Sequence, residues 1–128
     1  MLKDYSELQE RYLSDSLPIR IGNLAATINR IALRMNANFS SEKVLRLVLE
    51  GQEFIEWTAS SLEPERAEEL VQGLQMTLAG WKLHWDSIWI SDLERQNVQI
   101  QARAWAEKLL GWMEDMQARA EPTIQPRD

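Results

Sequence analysis

Glu50, Glu53 and Glu56 stand three residues apart, and Glu65 and Glu68 repeat the spacing one helix later. On a helix that interval puts carboxylates on a broadly shared face. All-helical nucleotide pyrophosphohydrolases hold magnesium with such a Glu-x-x-Glu pair followed by a Glu-x-x-Asp, because triphosphate hydrolysis needs several convergent carboxylates. This chain contains no Glu-x-x-Asp, so a metal-dependent pyrophosphohydrolase ranks third among the functional readings. His84 is the single histidine. A ferritin-like metal site needs Glu-x-x-His, whereas Trp81 occupies the glutamate position before His84. A serine nucleophile would depend on the same histidine and lacks a glycine-flanked elbow. No glycine-rich phosphate loop is present. Arg20, Arg30, Arg34 and Arg46 read as solvated outer-face residues of two helices. No catalytic residue, metal ligand or cofactor is assigned.

The stretch GWKLHWDSIWISD places Trp81, Trp85 and Trp89 at four-residue intervals. Trp81, Trp85 and Ile88 continue an apolar seam that starts upstream with Ala67, Leu70, Val71, Leu74 and Leu78. Trp89 lies about 100° around the helix from Ile88, at the edge of that seam. Tryptophan is a frequent interface anchor, and Trp85, Ile88 and Trp89 are the candidate interface residues.

The elements that must carry these residues are all helical. Leu17, Leu24, Ile28, Ile31 and Met35 recur at helical spacing after Ser16, with Pro18 in the first turn, which predicts a helix over 17–36. Ser40 and Ser41 restart the chain, and Val44, Val48, Phe54, Ile55 and Leu62 predict a second helix over 41–60. Pro64, followed by Glu65, Glu68 and Glu69, suits the positive end of a third helix. Ser91-Asp92-Leu93-Glu94 matches a capping box, so the third helix is expected to end near 91. A fourth follows through Leu93, Ile100, Ala104, Trp105, Leu109, Trp112 and Met116. No glycine or proline separates the two, and a single continuous helix over 63–120 stays open as an alternative. A short leading helix is expected over 2–14, and the tail EPTIQPRD, residues 121–128, is expected to be disordered. Gly51, Gly73, Gly80 and Gly111 fall inside these helices, where each costs about 1 kcal/mol relative to alanine. Close packing is the expected reason.

The expected architecture is an all-α, up-down four-helix bundle of unequal helix lengths forming one domain over 1–120. The last two helices would each run about 40 Å against about 30 Å for the first two. Their overhang, with Trp85 and Trp89, is expected to contact a second copy.

Composition removes other classes. Hydrophobic residues make up 45% and charged residues 27% of the 128, the range of a folded globular chain. The absence of cysteine excludes disulfides and thiolate metal sites. A net charge of −6 with scattered basic residues argues against a nucleic-acid partner. Nothing approaches the roughly 20 apolar residues of a membrane span, so a soluble, cytoplasmic protein is expected.

The phrases NLAATINRIAL, GQEFIEWTAS and LQMTLAGWKLHW resemble segments of small all-helical cyanobacterial proteins that carry no assigned biochemical role. The resemblance spans roughly residues 20 to 90 and implies a cytoplasmic protein of a photosynthetic bacterium. The leading functional expectation is a noncatalytic protein–protein interaction or assembly module, self-associating as a homodimer. The second is a carrier holding a pigment or lipid-like ligand between the long helices.

Overall fold

The computed structural model describes residues 5–120, and every regular element in that range is helical. Helix α1 covers Ser6–Ser14, α2 Leu17–Arg34 and α3 Ser41–Ala59. Helix α4, Pro64–Glu69, runs through a π-helical segment, Leu70–Gln75, into α5, Met76–Leu83. A one-residue break at His84 leads into α6, Trp85–Trp89, and α7 spans Asp92–Ala120. The expected start of the leading helix at residue 2 and the tail at 121–128 lie outside the described residues.

Chain punctuation follows local chemistry. Ser40 Oγ accepts from the Lys43 amide at 3.3 Å and opens α3. Ser91 Oγ accepts from the Glu94 amide at 3.2 Å, so the turn predicted at 91 is a real helix boundary and the continuous alternative falls. Only half of the capping box forms, because the Ser91 amide donates to the Ile88 carbonyl at 3.2 Å. Glu94 is thereby left on the surface.

Side-chain contacts set the packing register. Trp81 Nε1 donates to Gln101 Oε1 at 3.3 Å, Lys108 pairs with Glu69, and Arg66 reaches Asp115 at 2.8 Å. Positions rising along α7 thus meet positions falling along α4–α5, and the two run antiparallel. Gln99 Nε2 donates to the Met35 carbonyl at 2.9 Å, and Gly22 lies against Met113. Helices α2 and α7 are therefore antiparallel as well. Gln75 Nε2 donates to the Gln52 carbonyl at 3.1 Å and ties the π-helical segment to α3.

The core is the interior these segments share. Ile21, Leu24, Ile28 and Ile31 of α2, Val48 and Ile55 of α3, Leu70, Leu74 and Leu78, and Leu109 of α7 are fully buried. Close approach depends on small residues: a Cβ on Gly51 would sit 3.3 Å from both Ile28 and Leu78. Gly73 is tighter still, since a Cβ there would meet two ring carbons of Trp105 at 2.7 Å. For these two glycines the packing expectation holds. Around Gly80 and Gly111 nothing lies within 4 Å, and packing explains neither.

The expected inner face of the last helix needs correction. Leu93 and Ile100 are each 66% exposed and Ala104 is exposed, whereas Val98, Ala102 and Ala106 are buried. Helix α7 turns its small residues toward α2, where Ala25 and Ala32 are also buried. Short side chains on both helices let the backbones approach, and the bulky pair is directed outward. Val71, assigned to the upstream seam, is likewise 42% exposed.

Candidate interaction surface

The α5–α6–α7 corner is built from the tryptophan stretch. Trp81, Trp85 and Ile88 are buried and Trp89 is half-buried. Trp85 Nε1 donates to Ser41 Oγ at 3.0 Å, with the Ser41 carbonyl also within reach at 3.3 Å. Trp89 packs on Trp85 with ring centroids 5.8 Å apart, and its carbonyl accepts from the Arg95 guanidinium. Of the three expected interface residues, Trp85 is 4% and Ile88 6% exposed. Both lie mostly inward, Trp85 at the level where α3 begins and Ile88 beneath the groove between α5–α6 and α7. Trp89 keeps the most exposed area.

The overhang is about the length expected. Met35 at the end of α2 is level with Gln99, so α7 projects beyond α2 by residues 92–98 only, about 10 Å. Leu93, on this projection, is 66% exposed, as is Ile100 just beyond it, and Leu83 and Ile90 before it in the chain are 78% and 83% exposed. Leu83 and Ile90 flank α6 where the chain leaves its helices, and periodicity reasoning applied within helices passes over such positions.

At the opposite end lie two inter-helix ion pairs and one within α7. Arg66 bonds Asp115, Arg119 reaches Glu63 at 3.6 Å and Asp115 at 3.4 Å, and the Arg66 guanidinium sits 5.5 Å over the Trp112 ring. The Arg66 hydrogen bond, with Arg119 beside it, holds the Asp115 carboxyl below the usual carboxylate range.

A groove of about 530 Å³ opens between α5–α6 and α7, with Trp81, Ile88 and Val98 beneath and His84, Glu94, Asn97 and Gln101 around it. Gly80 lines it and leaves the helix backbone accessible there. His84 is exposed, and its carbonyl accepts from the Ile88 amide and the Ser87 hydroxyl.

On the far side, Tyr12 stacks on Phe54 at 4.3 Å and 6° between ring planes, and its hydroxyl shares a 2.5 Å hydrogen bond with Thr58 Oγ1. Burial pushes the Tyr12 hydroxyl up to about 12. A smaller groove of about 340 Å³ beside it is lined by Arg11, Asp15, Arg30 and Glu50. Glu50 and Glu53, with burial as the larger cause, also raise the Tyr5 hydroxyl. Among the described residues, no three histidine, aspartate or glutamate side chains converge closely enough to hold a metal ion, the carboxylates at 50, 53, 56, 65 and 68 included. Within the same residues, no helix is long and apolar enough to cross a membrane. Arg30, Arg34 and Arg46 are exposed, and Arg20 is half-buried with its carbonyl accepting from Tyr12.

No protein-family model matches the chain, and no curated protein or solved structure is significantly similar to it.

Proposed function

We propose that the protein is an up-down four-helix bundle serving as a noncatalytic assembly module that joins a second copy of itself through the outer side of its α6–α7 corner. The observation that carries this reading is the concentration of strongly exposed apolar side chains toward one end: Leu83, Ile90, Leu93 and Ile100 stand 66–83% exposed there, while the Arg66–Asp115 and Arg119–Glu63 pairs lie at the other end. Isolated exposed leucines are ordinary, but neighbouring ones on a single corner are the mark of an interaction surface.

Sedimentation velocity tests it. The wild-type chain is expected to shift from monomer to dimer between about 1 and 100 μM, the range of a modest reversible interface, and Ile90→Lys with Leu93→Lys is expected to hold it monomeric. A wild-type monomer at about 100 μM overturns self-assembly.

The α5–α7 groove favours a second reading, a carrier for a pigment or lipid-like ligand. Its volume of about 530 Å³ falls within the roughly 300–1,000 Å³ of small-molecule sites. Its polar rim and accessible Gly80 backbone suit a ligand with one flat apolar face. Native mass spectrometry of protein purified gently from its own host distinguishes the two: unexplained bound mass on a monomer supports the carrier, and a clean multiple of 14.9 kDa supports assembly.

A further inference from the structure

The outward face of α7 carries a second pattern. Leu93, Asn97, Ile100, Ala104, Glu107 and Gly111 are all exposed and follow one another at intervals of four, three, four, three and four residues. That is the spacing of a heptad seam, in which one row of side chains stays against a partner helix. The inner face of α7 is centred on Val98, Ala102, Ala106 and Leu109, so the seam lies on the side away from the bundle. Gly111 has nothing within 4 Å of where its Cβ would stand, although glycine there costs about 1 kcal/mol of helix stability. The fold itself gives no reason for that cost.

We infer that α7 pairs antiparallel with α7 of a second copy about a two-fold axis at the level of Ala102, each Leu93 seated on the partner's Gly111 and each Ile100 on the partner's Ala104. This rests on the self-assembly reading and specifies its geometry. Side-chain size supports the direction. Antiparallel pairing sets one large residue against one small one in both apolar layers, which fills space evenly. Parallel pairing would stack leucine on leucine, glycine on glycine and Glu107 on Glu107.

Asn97 meets the partner's Glu107 in the antiparallel arrangement, an amide donor facing a carboxylate acceptor. Along the flank, Glu94 faces the partner's Lys108, which also pairs with Glu69 within its own chain. Arg103 faces its own copy near the axis, with Glu107 one turn along the same helix to offset the repulsion. The seam runs about 27 Å. A two-helix contact of that length sits near the lower edge of stable interfaces, so a reversible dimer with a dissociation constant on the order of 10 μM is expected.

Cysteine cross-linking decides the geometry, because the chain has no cysteine of its own. Ile100→Cys and Ala104→Cys are made separately, checked for wild-type circular dichroism, and oxidised mildly, alone and mixed. The mixture is expected to form a 100–104 disulfide dimer about tenfold faster than either variant alone, tenfold being the effect of about 1.4 kcal/mol of favourable geometry. In sedimentation, Ile100→Glu is expected to weaken association at least about tenfold, since it buries a charge without a partner, with the monomer's melting temperature unchanged. Equal cross-linking of each variant alone indicates a parallel pair and overturns the inference. A wild-type dimer whose mixture does not cross-link places the contact elsewhere, overturning this inference while self-assembly stands. A wild-type monomer overturns both.

Discussion

Replacing Gly73, Gly80 and Gly111 one at a time with alanine separates packing from backbone propensity within one molecule. All three are helical, so each substitution gains about 1 kcal/mol of intrinsic helix stability. At Gly80 and Gly111 nothing lies within 4 Å of the new methyl, and that gain stands unopposed. At Gly73 the methyl meets Trp105 Cη2 and Cζ2 at 2.7 Å, against a normal carbon–carbon separation of about 3.5–4.0 Å. The indole is rigid and is covered by the Lys108 ammonium 5.3 Å from its ring centroid, so ring or helix must move by about 1 Å. Overpacking of that kind costs roughly 1–3 kcal/mol, which exceeds the propensity gain. The net expectation is a loss of about 1 kcal/mol at Gly73 against gains of about 0.5–1 kcal/mol at the other two. For a domain of this size the spread is about 6–8 °C in melting temperature. Thermal denaturation followed by circular dichroism at about 1 μM, below the expected dimer dissociation constant, measures the monomer alone. If Gly73→Ala melts as high as Gly80→Ala, the packing account of the π-helical segment is wrong.

Three further outcomes are expected. Tyr12→Phe strands the Thr58 hydroxyl, which is 0% exposed, and should lower urea-measured stability by about 1–2 kcal/mol; pairing it with Thr58→Val should cost less than the sum of the single changes. Because burial raises the Tyr12 hydroxyl from its ordinary 10.0 to about 12, its contribution is complete below about pH 10 and is lost as pH rises toward 12, by up to about 2–3 kcal/mol, which urea titrations at pH 9 and 11 compare. The Asp115 carboxyl is held low chiefly by Arg66, so its stabilisation is present above the ordinary carboxylate range and disappears as pH falls through its depressed value; Asp115→Asn should flatten that acid limb. Trp85→Phe keeps the ring but loses the bond to Ser41 at 3.0 Å, and hydrogen exchange at Lys43 and Val44 should quicken about fivefold, the effect of about 1 kcal/mol.

Much of the fold was legible because several helices obey one simple pattern. In α2 and α3 most bulky apolar residues fall on a single stripe, and Leu24, Ile28, Ile31, Val44, Val48 and Ile55 are all buried as the spacing predicts, with Ile19 and Leu33 exposed outside it. Serine before a helix and proline in its first turn located boundaries within a residue or two. Helix α7 misled because apolar residues occur around its whole circumference, so periodicity could not tell inside from outside. Bulk then pointed to Leu93 and Ile100, whereas close helix approach selects the smaller Ala102 and Ala106. The His84 break carries no glycine or proline and the π-helical segment only Gly73, which packs against Trp105, so periodicity did not reveal either. Within the tryptophan stretch, burial was not legible residue by residue: Trp85 and Ile88 turn inward, while Leu83 and Ile90, outside any helical stripe, are the exposed side chains.

The ion-pair cluster at one end and the exposed apolar side chains near the other are expected to answer to solvent in opposite directions. Raising sodium chloride from about 0.1 to 1 M shortens the screening length from roughly 10 to 3 Å, which slackens the Arg66, Asp115 and Arg119 cluster where α4 begins and α7 ends. Sulfate, excluded from apolar surface, is expected to favour burial of the exposed side chains at the α6 corner. Chloride is therefore expected to act on the ion-paired end and sulfate on the α6 corner, so the two salts are expected to change the molecule at different places.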